Sequence, residues 1–187
     1  MFIRSERLFL RPGWPEDWED LQRLIGDEQV VRNLASVPWP YTGAHARSFV
    51  NLQRERLCPG FMITLPGAAG ARLIGGVGFQ KTDAGVALGY WIARDHWGRG
   101  YASEAARAAL SLACTLGHER IVATHFLDNP ASGRVLDKLG FRRTGRIVER
   151  FSEGRGMVYP AREYELVFDS PGGCADGDDD VPHRRAA

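Results

Sequence analysis

The segment from residue 89 to 105, GYWIARDHWGRGYASEA, has residue types and spacing that suit an anion-binding turn. A strand-like stretch leads into a turn that contains Gly98 and Gly100, and a helix-like stretch rich in alanine follows. Such a turn points several backbone N–H groups at one spot, and the positive end of the next helix adds to their attraction for an anion. Because glycine lets the backbone approach a ligand closely, the segment favours a phosphate or pyrophosphate ligand.

Two well-known phosphate-binding loops match this segment only in part. A P-loop needs a lysine followed by Ser or Thr after its last glycine, and no lysine stands there. A dinucleotide-binding loop needs Gly or Ala where Ser103 stands, and an acid at the end of the following strand, which here reads HFLD over residues 125–128. A nucleotide-binding oxidoreductase therefore stays open as an alternative, and so does a glycine turn with no ligand.

The elements before the glycine turn follow from hydrophobic spacing and from turn residues. The first half of the chain predicts a strand over residues 6–11, helices over 15–26 and 44–57, and strands over 61–65, 72–80 and 86–93. Short turn-rich links between the last three strands predict an antiparallel meander. The loop between the two helices carries Trp39 and Tyr41 among prolines, and we expect these rings to line a substrate cleft.

The elements after the turn predict a strand–helix–strand crossover. A helix with alanines at helical spacing runs to Gly117, and a β-branched strand follows over 120–126, so this strand and the strand over 86–93 should be parallel. Asn129 and Pro130 predict the start of another helix, which ends at Gly140. Two last strands, over 141–151 and 162–168, complete an α/β (α+β) fold whose mixed, mostly antiparallel sheet has six to seven strands flanked by helices.

Three segments, in order, resemble the GNAT superfamily of N-acetyltransferases and its branch of ribosomal-protein N-terminal acetyltransferases. They are SERLFLRP at 5–12, WGRGYASEA at 97–105 and NPASGRVLDKLGF at 129–141. The glycine turn resembles the superfamily's coenzyme A pyrophosphate loop, Q/R-x-x-G-x-G/A, with Asp95 at its first position. The resemblance implies one GNAT domain over residues 1–168, acetyl-CoA as the co-substrate, and an acceptor that is an amine-bearing small molecule or a protein N-terminus.

The resemblance also implies roles for particular residues. It implies a backbone N–H near Ile92 as the donor to the oxyanion, Ser132 as the acid for the departing thiolate, and Glu149 as the base. We expect Trp39, Tyr41 and Tyr90 to contact the acceptor. The residues implied for coenzyme A are Ile92, Ala93, Arg94, Trp97, Gly98, Arg99, Gly100, Tyr101, Ala102, Asn129 and Ser132.

Composition excludes some classes of function. The net charge of +1 provides no broad field for nucleic acid, and no run of 18 apolar residues predicts a membrane span. The opening residues do not read as a secretory signal, so we expect a cytoplasmic protein, either a monomer or a homodimer. Three scattered cysteines without CxxC, and histidines without HxxxH, predict no metal site. The acidic, glycine-rich stretch over 169–187 is predicted to be disordered.

Several interpretations remain open from the sequence. Asn129 and Ser132 are also typical of a helix cap, and Glu149 of a solvated strand. A fold that binds acyl-CoA without transferring the acyl group is the main alternative to an enzyme. The acceptor is not identified, because its specificity lies in loops 34–42 and 150–160.

Overall fold

The computed structural model describes residues 1–68 and 70–168, and these form five helices and one sheet of eight strands. The strands are β1 (Ile3–Arg4), β2 (Phe9–Arg11), β3 (Gly60–Leu65), β4 (Arg72–Thr82), β5 (Gly85–Ile92), β6 (Arg120–Phe126), β7 (Arg142–Ser152) and β8 (Met157–Val167). The helices are α1 (Trp18–Ile25), α2 (Glu28–Val31), α3 (Gly43–Val50), α4 (Tyr101–Thr115) and α5 (Pro130–Lys138). The predicted tail over 169–187 lies outside the described residues.

The sheet has the order β1-β2-β3-β4-β5-β6-β8-β7, and its topology confirms the predicted fold class. It has eight strands instead of the predicted six to seven, because β1 adds an edge strand before residue 6. Strands β5 and β6 are parallel and are connected through α4, whereas the other neighbouring pairs are antiparallel. The crossover through α4 confirms the parallel pair predicted from the residues after the glycine turn. It places that turn at the end of β5, a central strand.

Helices cover both faces of the sheet. On one face α4 and α5 pack on a core that includes Phe79 and Tyr164. The alanines of α4 allow this close approach, because Ala105, Ala106, Ala109 and Ala113 are all fully buried. On the other face α1 and α3 pack on a second core that includes Met62 and Trp91. The central strands therefore contact one hydrophobic core on each face of the sheet.

Two predicted elements in the first half have different bounds. The strand predicted over 6–11 is wrong at its start, because a turn closed by the Ser5 N–H and the Leu8 C=O (3.0 Å) separates β1 from β2. The helix predicted over 44–57 is too long. It ends at Val50, since the Asn51 side chain donates from Nδ2 to the Arg47 carbonyl (2.9 Å) and closes the last turn.

Two further differences involve α2 and β8. Helix α2 was not predicted, and it begins because the Asp27 carboxylate accepts a hydrogen bond from the Gln29 N–H (2.8 Å). Strand β8 begins at Met157, five residues before the prediction, in spite of Pro160. The N–H that this proline lacks would point past the end of β6, so the ladder loses little there.

Candidate active site

The parallel strands β5 and β6 are paired at a single pair of residues, Ala87 and Val122, and they lie apart beyond this pair. The opening leads into a cavity of about 1230 Å³ that reaches both faces of the sheet. Gly89 lies on β5 just past the Ala87–Val122 pair, and a Cβ built there would meet no heavy atom within 4 Å. The sheet is thus split at its centre, and the split opens into this cavity.

The β5 edge of this split presents backbone groups that have no partner within the sheet. The Ala93 N–H donates to the Ile74 carbonyl of β4 (2.8 Å), and hydrogen bonding alternates along a strand, so the peptide groups of Tyr90 and Ile92 point the other way, toward β6. The Ile92 carbonyl accepts a hydrogen bond from Trp97 Nε1 (2.6 Å). The N–H of Ile92 faces the split. The Ala93 N–H, which sequence reasoning also assigned to the ligand, is used inside the sheet.

The turn after β5 has the geometry that its glycines predict. Gly98 and Gly100 have φ values of 74° and 79°, which side chains with a Cβ rarely adopt. The hydrogen bonds of α4 start with the Glu104 N–H and the Gly100 carbonyl (3.1 Å), so the first three N–H groups of this 15-residue helix have no partner in it. Both glycines and residues 101–103 line the cavity. The helix dipole and these donors together make an anion site.

Of the two arginines beside the turn, one forms an ion pair with its side chain and the other accepts a hydrogen bond through its backbone. Arg94 lies 3.8 Å from Asp27 in an ion pair, and the Arg99 carbonyl accepts a hydrogen bond from Arg7 Nη1 (3.1 Å). Neither Arg94 nor Arg99 is among the cavity-lining residues. Two basic residues of α5, Arg134 and Lys138, line the cavity instead. Sequence reasoning missed them because the crossover that brings α5 beside α4 is not visible in one segment.

Glu104 ties the start of the chain to the glycine turn. Its Oε1 accepts hydrogen bonds from Ser5 Oγ and the Arg7 N–H, both at 2.7 Å, and its Oε2 accepts from Arg7 Nε at 2.8 Å. The Arg7 guanidinium also lies over the Tyr101 ring, 4.8 Å from its centre. These contacts fix the first turn of α4 and were not predicted, because 97 residues separate Arg7 from Glu104.

Ser132 and Tyr90 meet at the edge of the cavity. Tyr90 Oη lies 2.8 Å from Ser132 Oγ and also donates to the Ser132 carbonyl at 3.1 Å. Burial raises the pKa of Tyr90 to about 12. Asn129 caps α5, because its Oδ1 accepts a hydrogen bond from the Ser132 N–H (3.3 Å), and Pro130 occupies the first helical position. The structure thus places Tyr90 beside the catalytic candidate Ser132, on the α5 face.

Residues 7–142 match the family model of the acetyltransferase (GNAT) domain. The chain belongs to the GNAT acetyltransferase family. The uncharacterised N-acetyltransferase YoaA of Bacillus subtilis is 28% identical over 174 residues, which cover 88% of this chain and 96% of YoaA. A GNAT-family acetyltransferase from Bacillus anthracis superposes with a TM-score of 0.76 and 29% identity, over 89% of this chain and 98% of that one. The protein is therefore an acetyl-CoA-dependent acyltransferase.

The same fold occurs in RimL, a ribosomal alpha-N-protein acetyltransferase whose structure contains coenzyme A. It superposes with a TM-score of 0.75 at 19% identity, over 90% of this chain and 99% of RimL. The residues of this GNAT site fit acetyl-CoA on their own evidence. The N-terminus of α4 suits the pyrophosphate, and the outward peptide group of Tyr90 on β5 suits an extended, amide-containing arm.

The three other residues proposed for this GNAT site lie apart from one another. Glu149 lines the cavity from β7, opposite Pro160, and is exposed. Trp39 is 44% exposed, and Tyr41 lies beside α1 at a second, smaller cavity, with its ring centre 5.6 Å from that of His45. Neither Trp39 nor Tyr41 lines the main cavity. The structure thus places this aromatic pair outside the main cavity.

Within residues 1–68 and 70–168, no cluster of three or more His, Cys, Asp or Glu side chains has the arrangement of a metal site. No helix in that part of the chain has the length and hydropathy needed to cross a bilayer.

The Glu104 cluster predicts a pH-dependent contribution to stability. Burial by itself would raise the pKa of Glu104, but hydrogen bonds from Ser5 and Arg7 outweigh it and hold that pKa below its ordinary value of 4.5. A lowered pKa stabilises the fold above pH 4.5, and this stabilisation is lost as the pH falls below that value. We expect Glu104→Gln to reduce the free energy of unfolding by about 1 to 3 kcal/mol at pH 7.

Urea unfolding of both proteins between pH 3 and 7 measures this effect. The two plots of unfolding free energy against pH should converge as the pH falls below about 4.5. Glu6→Gln, at an exposed position of the same segment, is the control and should parallel the unchanged protein. A constant difference between Glu104→Gln and the unchanged protein at every pH would show that the charge of Glu104 does not stabilise the turn.

Proposed function

We propose that this GNAT protein is an N-acetyltransferase that transfers the acetyl group of acetyl-CoA to a primary amine by direct attack. The observation that supports it best is the Ser132 hydroxyl, held by Tyr90 2.8 Å away at the edge of the split where the Ile92 N–H is unpaired. A hydroxyl and a backbone donor on the two sides of one opening match the two needs of thioester aminolysis: a proton for sulfur and a donor for oxygen.

The reaction forms one bond and breaks one. The lone pair of the neutral amine attacks the thioester carbon, so a C–N bond forms and the carbonyl oxygen gains negative charge. We assign the Ile92 N–H to that oxygen. The C–S bond then breaks, the electron pair goes to sulfur, and we assign Ser132 to protonate the thiolate.

Tyr90 has a positioning role in this scheme. Its single hydroxyl proton has two acceptors, the Ser132 carbonyl at 3.1 Å and Ser132 Oγ at 2.8 Å. When the proton lies toward the carbonyl, the Ser132 proton points back at Tyr90. When it lies toward Oγ, the Ser132 proton is left for sulfur. Because burial raises the pKa of Tyr90 to about 12, its proton stays in place at neutral pH.

The amine must lose a proton before or during the attack. We propose Glu149 as the group that receives it, directly or through water, because its exposed carboxylate lines the cavity on β7. The acceptor itself is a small-molecule amine or a protein N-terminus, and the second kind is the acceptor class of RimL, a ribosomal alpha-N-protein acetyltransferase with the same fold.

A thiol-release assay with acetyl-CoA and a panel of amines and N-terminal peptides tests the proposal. Release of coenzyme A that depends on the amine, together with a product one acetyl group heavier by mass spectrometry, is the expected result. If acetyl-CoA binds but no amine in the panel is modified, the alternative of a fold that binds acyl-CoA without transfer takes its place.

A further inference from the structure

The half of the cavity opposite α5 has a polar floor that the mechanism above does not use. It is made by Thr124 on β6, Arg150 on β7 and Glu163 on β8, and all three line the cavity. Successive strand residues face opposite sides of a sheet, and His125 lies against Gly133 of α5, so Thr124 faces away from α5. Glu163 is the register partner of Thr124 and shares its face. We call these three residues the acceptor floor.

Arg150 is a cation without an ion-pair partner among the described residues. Its Nη1 donates to Thr124 Oγ1 at 2.9 Å, and no carboxylate lies within 4 Å of its guanidinium in the part of the chain that the structure describes. The side chain is partly buried. A partly buried guanidinium is commonly paired, and the remaining donors of Arg150 match a carboxylate or a phosphate in two-point geometry.

Glu163 supplies the opposite charge on the same floor. It is 7% exposed, and its Oε1 accepts a hydrogen bond from Thr144 Oγ1 at 3.2 Å. Its nearest cation is Arg146, at 3.6 Å and with a side chain 71% exposed, so the pair is long and solvated. The floor thus carries a cationic site and an anionic site on neighbouring strands.

Loop contacts hold one part of the cavity wall, to which Leu34 and Ala35 belong. The Glu153 N–H donates to the Ala35 carbonyl at 2.9 Å, and Ser152 Oγ donates to the Leu34 carbonyl at 3.3 Å. Arg155 Nε donates to the Arg32 carbonyl at 2.7 Å. The segment after α2 and the β7–β8 turn are therefore held together, and a wall fixed in this way favours a compact acceptor.

We infer that the acceptor is a compact amine that also carries an anionic group, a carboxylate or a phosphate, with Arg150 binding the anion. Glu163 attracts the ammonium end, so the two charges of the floor orient the acceptor along it. This inference rests on the proposed N-acetyltransferase function and names the class of its acceptor. It also explains why Arg150 needs no protein partner of its own.

Matched acceptors test the inference. Each amino acid in a panel is compared with its carboxamide, and each amino-alkyl phosphate with its alcohol, by kcat/KM in the thiol-release assay. We expect the anionic member of a pair to be preferred about 10- to 100-fold, and Arg150→Gln to abolish that preference. The two kinds of pair also distinguish a carboxylate from a phosphate. Arg142→Gln, an exposed arginine of β7 outside the cavity, is the control.

The outcomes separate this inference from the proposed function. Equal rates for charged and neutral members, or a preference that survives in Arg150→Gln, would overturn the inference and leave N-acetylation in place. A preference for acidic peptides over every compact anion would also overturn it. If no amine reacts, the proposed function fails, and thermal unfolding of the coenzyme-bound protein decides about the floor. Stabilisation by anionic amines that is lost in Arg150→Gln supports the anion site, and its absence overturns it.

Discussion

Replacing Ser132 by alanine is expected to lower kcat about 100-fold, because a positioned acid typically contributes at least that much to a proton transfer. The affinity for coenzyme A should change by no more than about twofold, since the cofactor's charge is assigned to the α4 turn. Steady-state kinetics with the best acceptor, together with calorimetric titration of coenzyme A, separate the two quantities. The fall in kcat should not be recovered at saturating acetyl-CoA.

Two variants accompany this experiment. Ser111→Ala changes an exposed serine of α4 and should leave kcat unaltered. Tyr90→Phe removes the hydrogen bond at 2.8 Å but leaves the Ser132 proton, so we expect a smaller loss of about tenfold in kcat. Full activity in Ser132→Ala would exclude Ser132 as the acid, and full activity in Tyr90→Phe would exclude the positioning role.

Replacing Gly98 by valine is expected to weaken coenzyme A binding about 100-fold. At a φ of 74° a β-branched residue is strained, and the turn must move to relieve it. Losing two hydrogen bonds to a charged pyrophosphate costs about 3 kcal/mol, which corresponds to this change in affinity. Calorimetric titration of coenzyme A measures it.

Gly117 offers a matched control at the other end of α4. Its φ is 84°, and, like Gly98, it has open space where a Cβ would lie. Gly117→Val should therefore carry a similar backbone strain of about 1 to 2 kcal/mol, yet leave coenzyme A binding intact. Equal losses of affinity in the two variants would mean that general destabilisation, and not the glycine turn, explains the effect.

The sequence was sufficient to predict the parts of this site that are formed by local interactions. The turn at Gly98 and Gly100 and the cap at Asn129 depend on neighbours within a few residues, so their residue types indicate their conformations directly. The crossover through α4 was also predictable, because a helix between two strands brings the chain back to the starting end of the sheet and so favours a parallel pair. The helix predicted to Leu57 was too long because its end depends on a single side-chain hydrogen bond, from Asn51 to the Arg47 carbonyl.

The rest of the site depends on contacts between distant segments. The tie between Arg7 and Glu104 spans 97 residues, and the meeting of Tyr90 with Ser132 spans 42. Neither pair has a local pattern. The position of Arg150 beside Thr124 depends on strand order, in which β8 inserts between β6 and β7. A sequence read without that order gives no reason to single out this arginine among the others of β7.

The central claim is that the split between β5 and β6 and the turn before α4 bind acetyl-CoA. Thermal unfolding of the unmodified protein with acetyl-CoA, coenzyme A or NAD tests it most directly. At about 100 times the dissociation constant a ligand of the folded state adds about 2.7 kcal/mol, which raises Tm by about 5 to 10 °C for a chain of this size. The account predicts such a shift with acetyl-CoA and coenzyme A and none with NAD. No shift with either coenzyme A species, or an equal shift with NAD, would contradict it.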